Sequence, residues 1–237
     1  QISSLEVVAR LAPLTEPRLD HQLVERIEEL LNSSTLLQEP EYSEAKSSLL
    51  WQLASTCADP LQECTKAVAY YWEYRESASD VEKGDQALKP LAELYEELED
   101  WTELLKVLAM LMERTEIQEE TERLLAQIGV IHEQFTQDLE QAESHYLDLL
   151  DLNANSRSAI RGLQRIASER GDQAQLFEYL DAELAICKSS EDFANLKFRL
   201  GEIALEREGA EAALTHFSAA LSHFPGHSET AKILVQL

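Results

Sequence analysis

Apolar residues recur at spacings of three and four along most of the chain, and short polar stretches interrupt them at regular intervals. One stripe comprises Leu88, Leu91, Leu94 and Tyr95, and the next comprises Trp101, Leu104, Leu105, Leu108 and Leu111. This spacing is that of one face of an α-helix. Because so few residues separate the two stripes, they predict two antiparallel helices joined by a tight turn.

The same pattern returns after 72 residues. Residues 87–135 align without a gap on residues 159–207, with apolar positions matching apolar positions and Gly129 matching Gly201. When one residue is dropped from the later copy the offset becomes 71, and Tyr146 then matches Phe217. A looser copy upstream carries extra length near Ser77–Lys83. Each copy contains two helix pairs, and one pair is too small to bury a core, so the pairs must stack in series.

The repeats predict a single all-α domain over residues 1–237, with about six helix pairs in a right-handed α–α superhelix, or α-solenoid. A further copy begins as the chain stops, and the chain starts at Gln1 without a Met, so we expect a segment of a longer array; a capping helix is the alternative. The expected units are an irregular leading pair at 1–42, pairs at 43–86, 87–114, 115–154, 155–187 and 188–227, and a further repeat or a capping helix at 228–237.

Two local motifs predict where helices begin. Thr115 followed by Gln118 matches a capping box, and Asp59 before Pro60 offers an N-cap with proline at the first helical position.

Composition narrows the function. Seven Gly and six Pro in 237 residues disfavour all-β and α/β folds. The net charge of −25 repels phosphate backbones and anionic lipids, which argues against nucleic acid as a partner, and no apolar run is long enough for membrane insertion. The charge favours a basic partner, although carboxylates can equally serve to solvate a helical array.

Catalytic chemistry has no signature here. A Gly-rich phosphate loop, His-Glu-x-x-His and Gly-x-Ser-x-Gly are all absent, so we expect no enzyme activity and no cofactor. His216 and His223 lie seven residues apart and could share a helix face, but a metal would need a third ligand between them, so packing in an ordinary repeat helix is the favoured interpretation. Three cysteines without a CxxC pair indicate neither disulfides nor a zinc ribbon; being unpaired, they favour the cytoplasm slightly, and the compartment stays open.

The spacing of small and aromatic residues resembles that of the tetratricopeptide repeat. The clearest unit runs from Asn195 to His227, and the unit around Gly129 and Tyr146 fits with one inserted residue and with Ala154 in place of the closing proline. The units led by Leu91 and Leu163 are more degenerate, and the resemblance covers roughly residues 43–237. The positions that carry it in the clearest unit are Leu200, Gly201, Ala204, Ala213, Phe217, Ala220 and Pro225.

The resemblance implies that the first helix of each pair lines a concave face and that this face binds a protein or peptide. The set of basic and Asn residues with which chaperone-binding members hold a C-terminal carboxylate is absent. Alignment to the family's groove positions, with Trp51 added as an aromatic that could face the groove, nominates Trp51, Lys89, Glu93, Glu96, Arg123, Val130, Glu133, Arg161, Arg165, Asn195, Phe198 and Glu202.

The function that follows is a non-enzymatic protein–protein interaction scaffold. Two alternatives stay open: an accessory repeat region of a larger enzyme or regulator, and a structural spacer.

Overall fold

The computed structural model describes residues 24–25, 27–29, 31, 43–59 and 61–237. Contacts divide the chain into two compact units, Gln1–Thr115 and Glu116–Leu237, which are treated separately below. The predicted leading pair at 1–42 lies outside the described residues, except that the described positions between 24 and 31 are helical.

Every regular element within the described residues is helical. In the first unit the helices are α1 (Ser43–Ala58), α2 (Cys64–Ser77), α3 (Val81–Asp85), α4 (Leu88–Glu97) and α5 (Trp101–Arg114). In the second they are α6 (Gln118–Ile131), extended by a π-helical turn (His132–Thr136), then α7 (Leu139–Leu152), α8 (Arg157–Arg170), α9 (Gln173–Ile186), α10 (Ser190–Arg207), α11 (Ala210–His223) and α12 (Ser228–Gln236).

The helices pair with their neighbours in sequence. Short connections make antiparallel pairs of α1 with α2, α4 with α5, α6 with α7, α8 with α9, and α10 with α11. In the second unit the pairs also stack, α7 on α8 and α9 on α10. This serial stacking of helical hairpins confirms the predicted all-α, α-solenoid fold class. No helix in the described part of the chain is apolar over a span that could cross a bilayer.

Aromatic side chains link three helices of the first unit. The Trp51 ring on α1 meets Tyr71 and Tyr74 on α2 edge to face, with centroids 5.2 Å and 5.1 Å apart. From the same helix α2, Trp72 Nε1 donates to the Tyr95 hydroxyl on α4 at 2.8 Å, which joins the first pair to the second. An aromatic cluster with one internal hydrogen bond therefore holds three helices together.

The extra length of the upstream copy forms the short helix α3, and Asp85 at its end anchors two other helices. One carboxylate oxygen accepts from Arg75 on α2 at 3.1 and 3.2 Å, and the other accepts from Arg114 on α5 at 2.9 Å. The insertion is thus tied to the unit by ion pairs to a carboxylate that is only 12 % exposed.

The turns inside three of the pairs, α4–α5, α6–α7 and α8–α9, have the same backbone geometry and helix cap. Glu99, Gln137 and Gly171 adopt positive φ angles of 55°, 57° and 69°, which reverse the chain after a helix. The next residue is an aspartate each time, Asp100, Asp138 or Asp172, and its side chain accepts a backbone N–H of the following helix. The aspartates cap α5, α7 and α9, and α5 begins at Trp101 as its hydrophobic stripe predicts.

Both predicted helix-start motifs are wrong. Helix α6 begins at Gln118 after Ile117, and the Thr115 N–H that a capping box would bind donates to the Leu111 carbonyl at 3.1 Å. Helix α2 begins at Cys64, because residues after Asp59 are used to end α1: Glu63 N donates to Cys57 O at 2.7 Å. In both cases a helix-end hydrogen bond replaces the local motif.

Glycines allow the rings of the second unit to reach the neighbouring backbone. A Cβ on Gly129 of α6 would lie 2.6 Å from the Tyr146 ring, and one on Gly162 of α8 would lie 2.3 Å from the same ring. Tyr146 on α7 is thus held between a glycine of its own pair and a glycine of the next. Gly201 has the same relation to Phe217, at 2.5 Å.

We expect Gly201→Ala to destabilise the protein by about 1–3 kcal/mol, because the fully buried Phe217 ring has no space to move into. Alanine is otherwise the better helix former by about 1 kcal/mol, so a loss of stability identifies the clash. Urea unfolding measures it. The matched control is Gly226→Ala, whose Cβ would make an ordinary 3.5 Å contact with Phe224. Equal or higher stability of Gly201→Ala would contradict this packing.

Candidate protein-interaction site

A groove of about 600 Å³ lies between α8 and α10 in the second unit. Arg161, Arg165 and Ser168 reach it from α8, and their spacing of four and three residues puts them on one helix face. Asn195 and Arg199 reach it from α10, again four residues apart. The first helices of two successive pairs therefore form its walls. The remaining lining residues are Gln164, Glu169, Glu183, Asp192 and Leu196.

The floor of the groove is a buried carboxylate. Glu183 on α9 has a side chain that is 4 % exposed, and its Oε1 accepts from Arg161 Nε at 2.6 Å. Its Oε2 accepts from the Gln164 amide at 2.8 Å. Arg157 Nε lies 4.0 Å from Oε1. Because both oxygens have donors, the burial of this charge is compensated.

Gln164 extends this network to the opposite wall. Its amide nitrogen also donates to the Tyr179 carbonyl at 3.1 Å, and its oxygen accepts from Arg199 Nη1 at 3.3 Å. Arg161, Glu183, Gln164 and Arg199 thus form one chain of hydrogen bonds from α8 through α9 to α10. The two guanidinium groups are held in place by side chains that are themselves buried.

A second buried carboxylate holds Arg165. Glu133, in the π-helical turn, accepts from Arg165 Nη2 at 2.8 Å and from the Tyr146 hydroxyl at 2.7 Å. Burial raises the pKa of Glu133, but the hydrogen bonds from Arg165 and Tyr146 outweigh it and hold the pKa below its usual range. Burial, followed by the bond to Glu133, raises the pKa of Tyr146, so its hydroxyl stays a donor.

The turn that carries Glu133 also carries His132, which forms a stacked pair with a second histidine. His132 stacks on His145 of α7 with ring centroids 5.5 Å apart and an interplanar angle of 12°. Burial is the main cause that lowers the pKa of each imidazole, and the neighbouring His145 lowers that of His132 further. His145 Nδ1 is buried and has no hydrogen-bond partner among the residues that the structure describes. Burial at this turn therefore favours the neutral form of both imidazoles relative to a free histidine.

The structure brings together three of the residues that alignment nominates, Arg161, Arg165 and Asn195, in the lining of this one groove. A fourth, Glu133, lies behind Arg165 as its partner. Asn195 is also fixed from outside the groove, because its Oδ1 lies 2.9 Å from His227 Nε2 at the start of α12.

Three other nominated residues of the second unit stand apart. Phe198 packs its ring against Phe217 and His227, at 5.7 and 5.4 Å, and therefore contributes to the packing of α10 on its neighbours. Arg123 pairs with Glu120 one turn earlier on its own helix. Val130 is half-buried.

Glu202 is exposed on α10. Its carboxyl is nevertheless partly shielded from water, and this loss of hydration, followed by repulsion from Glu229, raises its pKa.

The nominated residues of the first unit do not form a comparable site. Trp51 is engaged by Tyr71 and Tyr74 in the helix-pair core. Lys89 and Glu96 are exposed on α4. Glu93 lines a separate open groove of about 770 Å³, shared with Ser55, Ala58, Asp59, Gln62, Cys64, Tyr71, Pro90, Leu94 and Glu97.

Sequence reasoning missed the other seven lining residues of the second-unit groove, among them the three that complete its hydrogen-bond network, Gln164, Glu183 and Arg199. A signal for Glu183 exists, since it lies three residues after fully buried Leu180 and therefore shares the apolar face of α9. Gln164 likewise lies four residues after Ile160 and three before Ala167, both buried, and therefore shares their apolar face of α8. A polar residue on an apolar face indicates a buried partner, although the spacing does not say which one.

The histidines and cysteines considered as ligands make other contacts. His216 meets the ring of Phe177 and His223 meets that of Phe193. Cys57 is fully buried, and Cys64 donates to Glu97 at 3.4 Å. Among the described residues, no three His, Cys, Asp or Glu side chains converge as potential metal ligands.

Serial helical hairpins with glycine–aromatic packing define the class of fold: a tetratricopeptide-type helical repeat, as the resemblance predicts. No protein-family model matches the chain, and no curated protein matches it.

Solved structures with a similar fold include YrrB, described as a tetratricopeptide repeat protein with an unusual peptide-binding site. It is 17 % identical, the match covers 85 % of this chain and 96 % of that one, and the TM-score is 0.49. PilF of Pseudomonas aeruginosa is 16 % identical over 99 % and 98 % of the two chains, with a TM-score of 0.45. A tetratricopeptide repeat protein of Parabacteroides merdae is 18 % identical over 98 % and 97 %, with a TM-score of 0.44.

We expect Glu183→Gln to lower the free energy of unfolding by about 1–2 kcal/mol, because it removes the charge that Arg161 and Gln164 compensate. The loss is small because Arg161 is about half exposed and stays hydrated. Denaturant unfolding measures the change. Glu169→Gln, an exposed carboxylate of the same groove, is the control and should unfold like the original protein. Indistinguishable behaviour of the two variants would refute the role of Glu183.

We expect stability to fall as the pH drops below about 6.5, the ordinary histidine pKa. His132 and His145 are harder to protonate in the folded chain than in the unfolded chain, so acid favours the unfolded state. Thermal unfolding across this range measures the slope. His145→Gln should flatten it. An unchanged slope in that variant would show that the stacked pair does not contribute.

Proposed function

We propose that the chain is a non-enzymatic interaction scaffold and that it binds a segment of another protein in the α8–α10 groove. A single observation carries this proposal: the groove is open to solvent, yet its polar walls are held by hydrogen bonds to the buried side chains of Glu183 and Gln164. Binding normally loses affinity because flexible side chains at the interface must be ordered. Here the side chains of the groove walls are already ordered by folding. The walls come from first helices of successive pairs, which the tetratricopeptide resemblance assigns to the concave face.

The prediction of a basic partner rests on net charge alone and stays a prediction. Of the two grooves described above, the first-unit one is the more acidic, with Asp59, Glu93 and Glu97 in its lining. The α8–α10 groove has arginines on both walls. The first-unit groove therefore offers a partner carboxylates alone, whereas the α8–α10 groove also offers guanidinium groups.

An unbiased peptide library displayed against the full chain tests the proposal, with nuclear magnetic resonance used to map where enriched peptides bind. We expect shifts at residues of α8 and α10. Ser168→Trp, which places a bulky ring in the groove, should abolish binding. Ser218→Trp is the matched control, since Ser218 is exposed on α11 outside the groove lining.

Both variants should keep the circular dichroism of the original chain. If Ser168→Trp still binds the enriched peptides, the groove is not the site. If no peptide is enriched and concentration-dependent scattering shows self-association, the spacer alternative is favoured.

A further inference from the structure

Arginines are concentrated around the groove of a strongly acidic chain. Helix α8 carries four arginines and one glutamate, whereas the whole chain carries 45 acidic and 20 basic residues. Arg157, Arg161 and Arg165 follow each other at intervals of four and therefore form one stripe along the helix. Arg199 of α10 stands on the opposite wall.

The ion pairs around the groove are asymmetric. Their carboxylates are buried, at 4 % exposure for Glu183 and 8 % for Glu133, whereas Arg161 and Arg165 are each 49 % exposed. The anions therefore lie beneath the surface and the cations lie at it. A ligand in the groove meets the guanidinium groups at shorter range than the carboxylates that hold them.

The guanidinium groups also keep free hydrogen-bonding capacity. Arg161 binds Glu183 through Nε, and its two terminal nitrogens make no hydrogen bond within the described residues. Arg199 uses only Nη1, on the neutral Gln164, and within the described residues no carboxylate lies within ion-pair distance of it. A terminal pair of guanidinium nitrogens matches the two oxygens of a carboxylate.

We infer that the α8–α10 groove binds an acidic peptide segment through its Asp or Glu side chains, with Arg161 and Arg199 as the recognition residues on opposite walls. This inference rests on the proposed function and names the chemistry of its partner. Glu169, Glu183 and Asp192 also line the groove and balance the charge of its three arginines, so recognition depends on paired hydrogen bonds at Arg161 and Arg199. The summed charge of the chain repels long polyanions, which favours a short acidic segment over nucleic acid.

Fluorescence anisotropy with the full chain tests the inference. The probe is a labelled peptide of alternating Glu and Ser with an amidated C-terminus, compared with the same peptide carrying Gln for Glu. We expect the acidic peptide to bind at least about tenfold more tightly, the effect of one charge-assisted pair. Ser168→Trp should abolish this binding.

Arg199→Gln should weaken binding of the acidic peptide by about tenfold and leave the fold intact, because Arg199 holds no buried carboxylate. Arg199→Lys keeps the charge but loses the paired donors, so it should recover only part of the affinity. Arg207→Gln, at the exposed end of the same helix, is the control and should bind normally.

Four results would overturn the inference. They are equal affinity for the Glu and Gln peptides, tighter binding of a Lys peptide, binding of the Gln peptide only when its C-terminus is a free carboxylate, and displacement of the acidic peptide by a single-stranded oligonucleotide at lower concentration than by unlabelled peptide. Library peptides that bind the groove but carry no acidic residues would refute this inference and leave the proposed function standing. Failure of every peptide to bind would refute both this inference and the proposed function.

Discussion

The contact of an aromatic ring with a helix backbone is the constraint on which the second unit depends. Tyr146 is fully buried between Gly129 and Gly162, so the pair α6–α7 and the next helix α8 close around one side chain. A methyl group on either glycine would overlap the ring. Protein interiors have no spare volume to absorb such an overlap, and in a serial fold each joint is supported only by its neighbours. The glycines therefore set how closely successive pairs stack.

The same ring connects the core to the groove. The Tyr146 hydroxyl donates to Glu133, and Glu133 in turn holds Arg165 on the groove wall. Glu183 makes an equivalent connection, because it sits beside Leu180 in the core while it binds Arg161. Each of these arginines is thus positioned by a group that folding itself has buried. Such support fixes the donors before a ligand arrives, which is what a rigid recognition surface requires.

Much of the fold follows from pattern alone. The helix spacing, the first residue of α5 at Trp101 and the glycine–aromatic matches all appear in the structure. Alignment also nominated three of the residues that line the groove. It did not identify Gln164 or Glu183. A polar residue within an apolar stripe only interrupts the hydrophobic pattern, and the pattern does not reveal the buried partner that it binds. The two helix starts that were wrong, near Asp59 and Thr115, failed because the N–H groups that the caps would have bound, Leu61 N and Thr115 N, donate instead to Thr56 O and Leu111 O at the end of the preceding helix.

By itself the sequence determined a helical repeat, since spacing and side-chain size are local properties that survive in any helix pair. Only the tertiary structure decided which carboxylates are buried and which arginines remain open. The overall charge of −25 says nothing about the sign of the field inside one groove. Charges act strongly over a few Å and are screened beyond about 10 Å, so the local field depends on burial and distance, which arise only when the helices pack.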